Sequence, residues 1–183
     1  MRQPPLLSIV GRKHAGKTTT AVRLSAALRA RGVRVMTIKH GSHTFNLDPS
    51  NTDTYRHFHE GGAERVAMIA PDRFALVMRW EEEVTPHEIA ARHMGDADIV
   101  LCEGFKRHAI PKIEVFRRAA HERPLLGSGE VDDAQVVAMV TDDEELSPPF
   151  PVFRFGDPAW LERLTDWVEA RWVRRQRPAG QAE

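Results

Sequence analysis

The sequence has one cysteine, no long apolar run and no excess of either charge. Cys102 alone excludes an intramolecular disulfide and is typical of cytoplasmic proteins. No stretch approaches the roughly 18 apolar residues of a membrane-spanning helix, and residues 1–5 lack the pattern of a signal peptide. Because 26 basic residues balance 26 acidic ones, bulk charge favours no polyanionic partner. We therefore expect a cytoplasmic protein that binds neither membranes nor nucleic acid.

Lysine is also scarce, since arginine supplies 21 of the basic side chains and lysine only five. An ammonium is a compact point charge, so the few lysines are expected where this chemistry is preferred to a planar guanidinium. Four of the five lie in a glycine-rich turn or after a predicted strand, where ligands of α/β sheets bind. The five are Lys13, Lys17, Lys39, Lys106 and Lys112.

Residues 11–18 read GRKHAGKT and fit the phosphate-loop pattern G-x-x-x-x-G-K-[S/T]. An apolar run at 6–10 predicts a buried strand before the loop, and residues 19–31 predict a helix after it. Backbone N–H groups of such a turn bind a di- or triphosphate. Lys17 is expected to reach the β- and γ-phosphates, and Thr18 to ligate Mg²⁺. The residues predicted to bind nucleotide are Gly11, Arg12, Lys13, His14, Ala15, Gly16, Lys17, Thr18 and Thr19.

The rest of the chain alternates strand and helix patterns, which predicts an α/β fold. We expect a P-loop NTPase three-layer fold with a mostly parallel central sheet and a β-hairpin-like insert. The length suits a single nucleotide-binding domain over residues 1–173, with residues 174–183 as a disordered tail. The expected strands are 33–38, 65–70, 74–80, 99–102, 112–117, 136–140 and 152–153, and the further helices are 53–60, 85–93 and 157–172.

Acidic residues at both ends of the 99–102 strand are candidates for the magnesium site. At about 3.3 Å per residue, the carboxylates of Asp98 and Glu103 lie roughly 16 Å apart. Glu103 is at the carboxyl end, beside the predicted phosphate site, so we predict that it binds the metal or a metal-bound water. Asp98 then only starts the strand. In the long polar loop, Asp48 is a second candidate metal ligand, and Asp53 either joins it or caps the short helix.

Histidines crowd one region of the sequence, at positions 40, 43, 57 and 59. The spacing of His40 and His43 leaves two interpretations open. One is a Zn²⁺ or Ni²⁺ site. The favoured one is contact with phosphate or a pterin-like anion, shared with Lys39, Lys106 and Lys112.

Together these blocks resemble the MobB family of P-loop proteins, the adaptor proteins of molybdopterin-guanine dinucleotide biosynthesis. The resemblance rests on the phosphate loop and on residues 38–43 (IKHGSH), 48–63, 98–106 (DIVLCEGFK) and 111–115 (PKIEV). It implies binding of GTP with Mg²⁺, weak hydrolysis at most, and assistance to the molybdenum cofactor guanylyltransferase that joins GMP to molybdopterin. It also implies molybdopterin as a candidate ligand and a homodimer in which the hairpin extends the sheet.

The chain departs from the family pattern at several positions. Asn46 replaces an expected aspartate, so we do not expect that position to bind metal. Residues 50–51 (SN) replace a Pro-Gly turn, and residues 61–63 (GGA) replace Ala-Gly-Ala. The loop interior, residues 12–14 (RKH), is more basic than usual. Phosphate binding is expected to survive all of these changes.

Two other function classes stay open. A P-loop small-molecule kinase would use lid arginines such as Arg117 and Arg118, although no insertion of lid length is present. A nickel or zinc metallochaperone GTPase is suggested by the histidines, but it lacks cysteine ligands. The sequence also has no Asn-Lys-x-Asp base-reading motif, for which Thr141-Asp142 is only a partial substitute. The choice of guanine over adenine therefore depends on the resemblance.

Overall fold

The computed structural model describes residues 3–41 and 49–174. Contacts divide the chain into two compact units, Met1–His40 with Pro86–Glu183 and, separately, Gly41–Thr85. The expectation of one domain over residues 1–173 stays a prediction, and the expected tail lies outside the described residues except for Arg174. No helix in the described part of the chain has the length and apolarity needed to cross a bilayer.

Every strand and helix expected from the sequence is present, with ends shifted by a few residues. The last helix continues as a π-helical turn, Glu169–Val173. In chain order the elements are β1 (Leu6–Val10), α1 (Lys17–Ala30), β2 (Val35–Lys39), α2 (Asp53–His59), β3 (Arg65–Ala70), β4 (Arg73–Met78), α3 (Pro86–His93), β5 (Ile99–Glu103), β6 (Lys112–Phe116), β7 (Val136–Thr141), β8 (Val152–Arg154) and α4 (Trp160–Val168).

The first unit is built on a six-stranded sheet in the order β2-β5-β1-β6-β7-β8. All five neighbouring pairs are parallel, so the carboxyl ends of all six strands lie along one edge. The strand that precedes the phosphate loop, β1, is central and pairs with β5 and β6. This topology confirms the predicted α/β fold with a parallel central sheet.

Alternate residues of the central strands pack into two separate hydrophobic cores, one on each face of the sheet. Leu7 and Ile9 face a cluster that includes residues of α1 and α4, whereas Leu6 and Cys102 join Ala90 of α3 on the other face. Successive side chains of a strand point to opposite faces, so the two clusters give the three-layer arrangement. Cys102 is buried in the second of these cores, and burial raises the pKa of its thiol to about 12, as is typical of an unreactive core cysteine.

Helix α1 ends in a glycine turn at Gly32. This residue has a φ of 76°, and its N–H donates to the Arg29 carbonyl at 3.0 Å. The next N–H, of Val33, donates to the Leu28 carbonyl at 3.2 Å. These two bonds form a Schellman motif, which satisfies the last carbonyls of the helix and turns the chain into β2.

The second unit contains α2 and the hairpin of β3 and β4. The Thr52 hydroxyl caps α2 by accepting from the Tyr55 N–H at 3.2 Å, so the capping role considered for Asp53 belongs to its neighbour. The antiparallel strands pair with Ile69 opposite Phe74. They form a two-stranded sheet of their own. Within the single chain, the hairpin is not part of the six-stranded sheet. Its expected role in a homodimer stays a prediction.

Candidate nucleotide-binding site

The phosphate loop requires glycine at two positions for different structural reasons. A Cβ at Gly11 would lie 2.4 Å from the carbonyl oxygen of Val115 in β6, so only glycine lets the loop pass this strand. Gly16 precedes α1 with a φ of 98°, and its carbonyl accepts from the Thr20 N–H at 2.9 Å. The loop therefore turns sharply between β1 and α1 and brings its main chain to the N-terminus of the helix, where phosphates bind.

Lys17 lies over the main chain of the loop. Its Nζ donates to the Arg12 carbonyl at 2.8 Å. Desolvation by burial lowers the pKa of this lysine, and Lys106 and Lys39 lower it further, while Glu103 opposes them. The ammonium is thus poorly solvated among other cations, and an anionic ligand at the loop would stabilise its charge.

Glu103 joins the phosphate loop to the end of β2. Its Oε1 accepts from the Thr18 hydroxyl at 2.9 Å and from the Lys39 ammonium at 3.1 Å. Asp98 lies at the amino end of β5, where its carboxylate accepts from the Arg34 N–H at 2.9 Å. The structure therefore confirms that Glu103 lies beside the loop and Asp98 away from it, while the metal role of Glu103 stays a prediction.

The oxygen donors at this position suit Mg²⁺. A magnesium ion bound to a nucleotide takes one or two carboxylates together with phosphate oxygens and water, so the Thr18 hydroxyl and the Glu103 carboxylate fit as its protein contacts. Among residues 3–41 and 49–174, no group of three or more His, Cys, Asp or Glu is arranged to hold a metal. The further candidates Asp48 and His43 lie outside the described residues.

Of the residues predicted to contact an anionic ligand, His40 contacts Glu103, whereas Lys106 contacts Glu130. The His40 N–H donates to the Glu103 carbonyl at 2.9 Å, and its ring lies 5.0 Å from the ring of Phe105. Phe105 in turn packs against His108, with ring centroids 5.1 Å apart. Sequence reasoning did not identify His108. The only signal available was its position two residues after Lys106, and it belongs to no motif.

Lys112 has a different role from the predicted one. The side chain is fully buried, and its Nζ donates to the carbonyls of His108 at 2.5 Å and Ile110 at 2.8 Å. Burial also lowers the pKa of this lysine. Lys112 opens β6 at the amino end of the strand. This placement corrects the prediction of an anion contact, because the lysine instead holds the main chain that enters β6.

Glu130, in the segment between β6 and β7, bridges two basic residues of the site. Its carboxylate lies 2.6 Å from Arg12 Nη1 and 3.2 Å from Lys106 Nζ. The hydrogen bond from Arg12, and to a smaller extent the one from Lys106, hold the pKa of Glu130 below its ordinary value. Sequence reasoning missed this bridge, because Glu130 is 118 positions from Arg12 and carries no motif of its own. In the same segment, His121 Nε2 lies 2.6 Å from the Lys13 carbonyl.

The segment that carries Glu130 is anchored by a buried carboxylate. Glu114 of β6 accepts hydrogen bonds from the N–H groups of Leu125 and, at 3.0 Å, Leu126. Burial is the main cause of its raised pKa, and the two hydrogen bonds oppose it. Glu114 therefore holds the chain after β6 against the sheet beside the phosphate loop.

Comparisons with known proteins agree with the family resemblance described for the sequence. The family model described as Molybdopterin guanine dinucleotide synthesis protein B (MobB) matches residues 6–142. A molybdopterin-guanine dinucleotide biosynthesis adapter protein of Escherichia coli is 34% identical over 175 residues, which cover 94% of this chain and 95% of the relative. Its counterpart from Haemophilus influenzae is 35% identical over 141 residues, 76% of each chain.

Solved structures show the same fold. The crystal structure of a MobB protein homolog from Bacillus stearothermophilus superposes with a TM-score of 0.67 at 24% sequence identity. The alignment covers 91% of this chain and 99% of that one. At this identity the likeness supports the architecture, whereas the family model and the two relatives support the lineage. The chain therefore belongs to the MobB family.

Proposed function

We propose that this protein is a GTP-binding adaptor that assists attachment of GMP to molybdopterin in molybdopterin guanine dinucleotide biosynthesis. Membership of the MobB family supports the pathway, and the phosphate loop supports the ligand. The observation that carries the nucleotide site is the 2.9 Å contact between Thr18 and Glu103. It places a hydroxyl, a carboxylate and the nearby Lys17 ammonium at one edge of the sheet, as binding of a nucleotide with Mg²⁺ requires.

The loop residues divide the work of binding. Backbone N–H groups from Gly11 to Thr18 surround the phosphates, and Lys17 exchanges the Arg12 carbonyl for a phosphate oxygen. Thr18 and Glu103 would hold Mg²⁺, which would supply positive charge to neutralise the phosphates. Lys39 shares the Glu103 oxygen and keeps the carboxylate oriented towards Thr18. These groups bind and position a nucleotide, and the proposal includes slow hydrolysis at most.

The proposed partner is the molybdenum cofactor guanylyltransferase, in the cytoplasm. Lys39, His40 and Lys106 are the described residues proposed to meet molybdopterin or another anionic ligand. Lys39 and His40 contact Glu103, and Lys106 contacts Glu130. We further propose a homodimer, supported by the exposed apolar side chains of the hairpin. The alternative of a kinase lid gains no support from its two arginines, since Arg117 and Arg118 lie against Asp142 and Asp143.

The first test titrates a fluorescent GTP analogue into the protein with Mg²⁺ and competes it with unlabelled GTP and ATP. We expect GTP to compete more strongly, and Lys17→Ala to abolish binding while circular dichroism and the melting temperature stay unchanged. Normal binding by the folded Lys17→Ala variant would remove the phosphate loop from the proposal. Preference for ATP would contradict the assignment of guanine and favour a P-loop small-molecule kinase.

The adaptor role needs a second measurement, with the partner enzyme present. Addition of the wild-type protein should raise the rate of GMP transfer to molybdopterin by the guanylyltransferase at limiting GTP. Lys17→Ala should give no increase at the same concentration. Equal stimulation by both proteins would separate the adaptor role from nucleotide binding.

A further inference from the structure

Lys106 connects the phosphate loop to a carboxylate of the chain itself. Its ammonium lies 3.2 Å from Glu130, and the same carboxylate lies 2.6 Å from Arg12 of the loop. The side chains of Lys106 and Glu130 are 37% and 43% exposed, so their pair is open to water. Glu130 therefore takes the place of an anionic ligand between two cations of the site.

The main chain at Lys106 is fixed beside the phosphate loop. The N–H of Gly104 donates to the carbonyl of Ile9 in β1 at 3.1 Å, next to the start of the loop. Phe105 is buried and has a φ of 56°, a conformation that tertiary contacts must hold in a bulky residue. Burial lowers the pKa of Lys17, and the charge of Lys106 lowers it further. The flexible stem of Lys106 lets its ammonium change partner while its main chain stays in place.

Glu130 is held in position by the segment between β6 and β7. Its N–H donates to the Ser128 hydroxyl at 3.2 Å, and that hydroxyl donates to the Leu125 carbonyl at 2.5 Å. The Leu125 N–H in turn donates to the buried carboxylate of Glu114. This series of hydrogen bonds ties Glu130 to strand β6, so the fold itself places the carboxylate beside the loop.

The position of Lys106 favours contact with the terminal phosphate of a triphosphate. A phosphate-loop lysine reaches the β- and γ-phosphates, so Lys17 marks this end of the site. Glu103 contacts Thr18 here at 2.9 Å, and Lys106 follows Glu103 by three residues at the same edge of the sheet. A diphosphate has no γ-phosphate, so only a triphosphate presents an anion within reach of this second lysine.

An exchange of partners leaves Glu130 paired. When the Lys106 ammonium turns to a phosphate oxygen, the Glu130 carboxylate keeps its contact with Arg12. Breaking an ion pair this exposed reduces affinity by roughly two- to fivefold at most, whereas a charge-assisted hydrogen bond to phosphate raises it by roughly tenfold or more. The phosphate is therefore the preferred partner, and the pair with Glu130 reduces the affinity gained.

We propose that Glu130 and the terminal phosphate of a bound nucleoside triphosphate compete for Lys106, and that this exchange sets the preference of the site for triphosphates over diphosphates. The inference rests on the proposed function, because it assumes a nucleotide in the phosphate loop. Lys106 is the discriminating residue, and Glu130 restrains it. With a diphosphate bound, Lys106 stays on Glu130, and the segment between β6 and β7 keeps its contact with this lysine.

Calorimetric titration with GDP and with GMPPNP, a GTP analogue that resists hydrolysis, tests the exchange in Mg²⁺. Lys106→Met should lower the affinity for GMPPNP roughly tenfold and that for GDP by less than about twofold. Glu130→Gln should raise the affinity for GMPPNP roughly two- to fivefold, a gain that damage to the fold does not produce. Glu122→Gln removes an exposed carboxylate of the same segment and is the matched control, with both affinities expected at the wild-type level.

The double variant Lys106→Met/Glu130→Gln separates competition from a general effect of charge. If Glu130 acts by holding Lys106, its removal should change nothing once Lys106 is gone. An equal gain in both backgrounds, or an unchanged ratio of the two affinities in Lys106→Met, would overturn the inference. The proposed function would survive these results if Lys17→Ala still abolished binding of both nucleotides. Retained binding by Lys17→Ala would instead contradict the proposed function itself.

A second measurement uses the wild-type protein alone. Its five lysines are labelled with an amine-reactive reagent in the presence of either nucleotide, and each is quantified by mass spectrometry. Lys106 should be labelled several-fold more slowly with GMPPNP than with GDP, because its ammonium is then bound to phosphate instead of an exposed carboxylate. Equal labelling of Lys106 in the two complexes would overturn the inference.

Discussion

At the scale of single residues, one oxygen of Glu103 serves two donors. Oε1 accepts both the Thr18 hydroxyl and the Lys39 ammonium, and the side chain is only 15% exposed. A carboxylate held in this way is preorganised for a cation, because its orientation is set before the ligand arrives. The same carboxylate holds the ammonium of Lys39 at 3.1 Å, although that side chain is itself 66% exposed. Loss of its charge should therefore be felt mainly when a metal is present.

Glu103→Gln should weaken GTP binding in Mg²⁺ by roughly tenfold and change binding in EDTA much less. The amide keeps the size of the side chain but loses the charge that a metal prefers. Asp98→Asn is the matched control, since Asp98 lies at the opposite end of the same strand. Fluorescent-nucleotide titration with and without Mg²⁺ measures both. Equal losses in the two buffers would show that Glu103 does not act through the metal.

Glu114 makes stability depend on pH in a direction unusual for a carboxylate. Burial raises its pKa above the ordinary glutamate value, so the folded protein binds more protons than the unfolded chain between the two values. Its contribution to the free energy of unfolding therefore falls as pH rises through that interval. Glu114→Gln removes this dependence on pH. Because an amide has a single oxygen, the substitution also leaves the N–H group of either Leu125 or Leu126 without an acceptor.

We expect Glu114→Gln to lower the free energy of unfolding by about 1–3 kcal/mol below that interval, the cost of an unsatisfied buried N–H group. The difference from the wild type should shrink as pH rises. Urea denaturation over a pH series measures it, with the exposed Glu122→Gln of the same segment as control. A difference that widens with rising pH would contradict the raised pKa.

At the scale of elements, the end of α1 depends on the backbone freedom of Gly32. No atom lies within 4 Å of a Cβ built there, so only the φ of 76° disfavours other residues. Gly32→Ala should destabilise the protein by about 1–2 kcal/mol, the cost of a left-handed conformation for an ordinary residue. Gly32→Asn should cost less, because asparagine tolerates this region. Chemical denaturation compares them, and equal stability of all three proteins would refute the argument.

Sequence patterns predicted the elements and the phosphate loop because their signals are local. The loop has fixed spacing, and β1 and β5 are mostly apolar runs. The direction of a parallel strand also separated Glu103 from Asp98. These arguments need only the order of elements and the geometry of a strand.

The remaining contacts depend on tertiary packing and were not predictable in the same way. Glu130 reaches Arg12 across 118 positions through an irregular segment. Lys112 has the same charge as Lys106, yet one lies inside the first unit and the other meets Glu130. Burial and side-chain direction decide these roles, and neither has a local pattern.

At the scale of the whole molecule, the hairpin carries apolar side chains that this chain leaves exposed. Ile69 and Phe74, paired across the strands, are 81% and 63% exposed, and Leu76 follows on the same face. Phe74→Asp with Ile69→Lys should convert the proposed homodimer into a monomer, because it replaces the apolar surface by charge. Light scattering after size-exclusion chromatography measures the mass. Arg73→Asp is the control, and an unchanged mass would exclude this face from the interface.

The central position of β1 has a consequence for how the protein is made. Leu6 pairs with Val100, and Ser8 pairs with Lys112, so both partner strands leave the ribosome about a hundred residues after β1. At about 5–20 residues per second, β1 waits roughly 5–20 s for them. During this time the apolar strand has no partner strand to hydrogen-bond with. The phosphate loop also lacks β6, the strand against which Gly11 packs. The nascent chain must therefore be kept from aggregating first and can capture its ligand only late in synthesis.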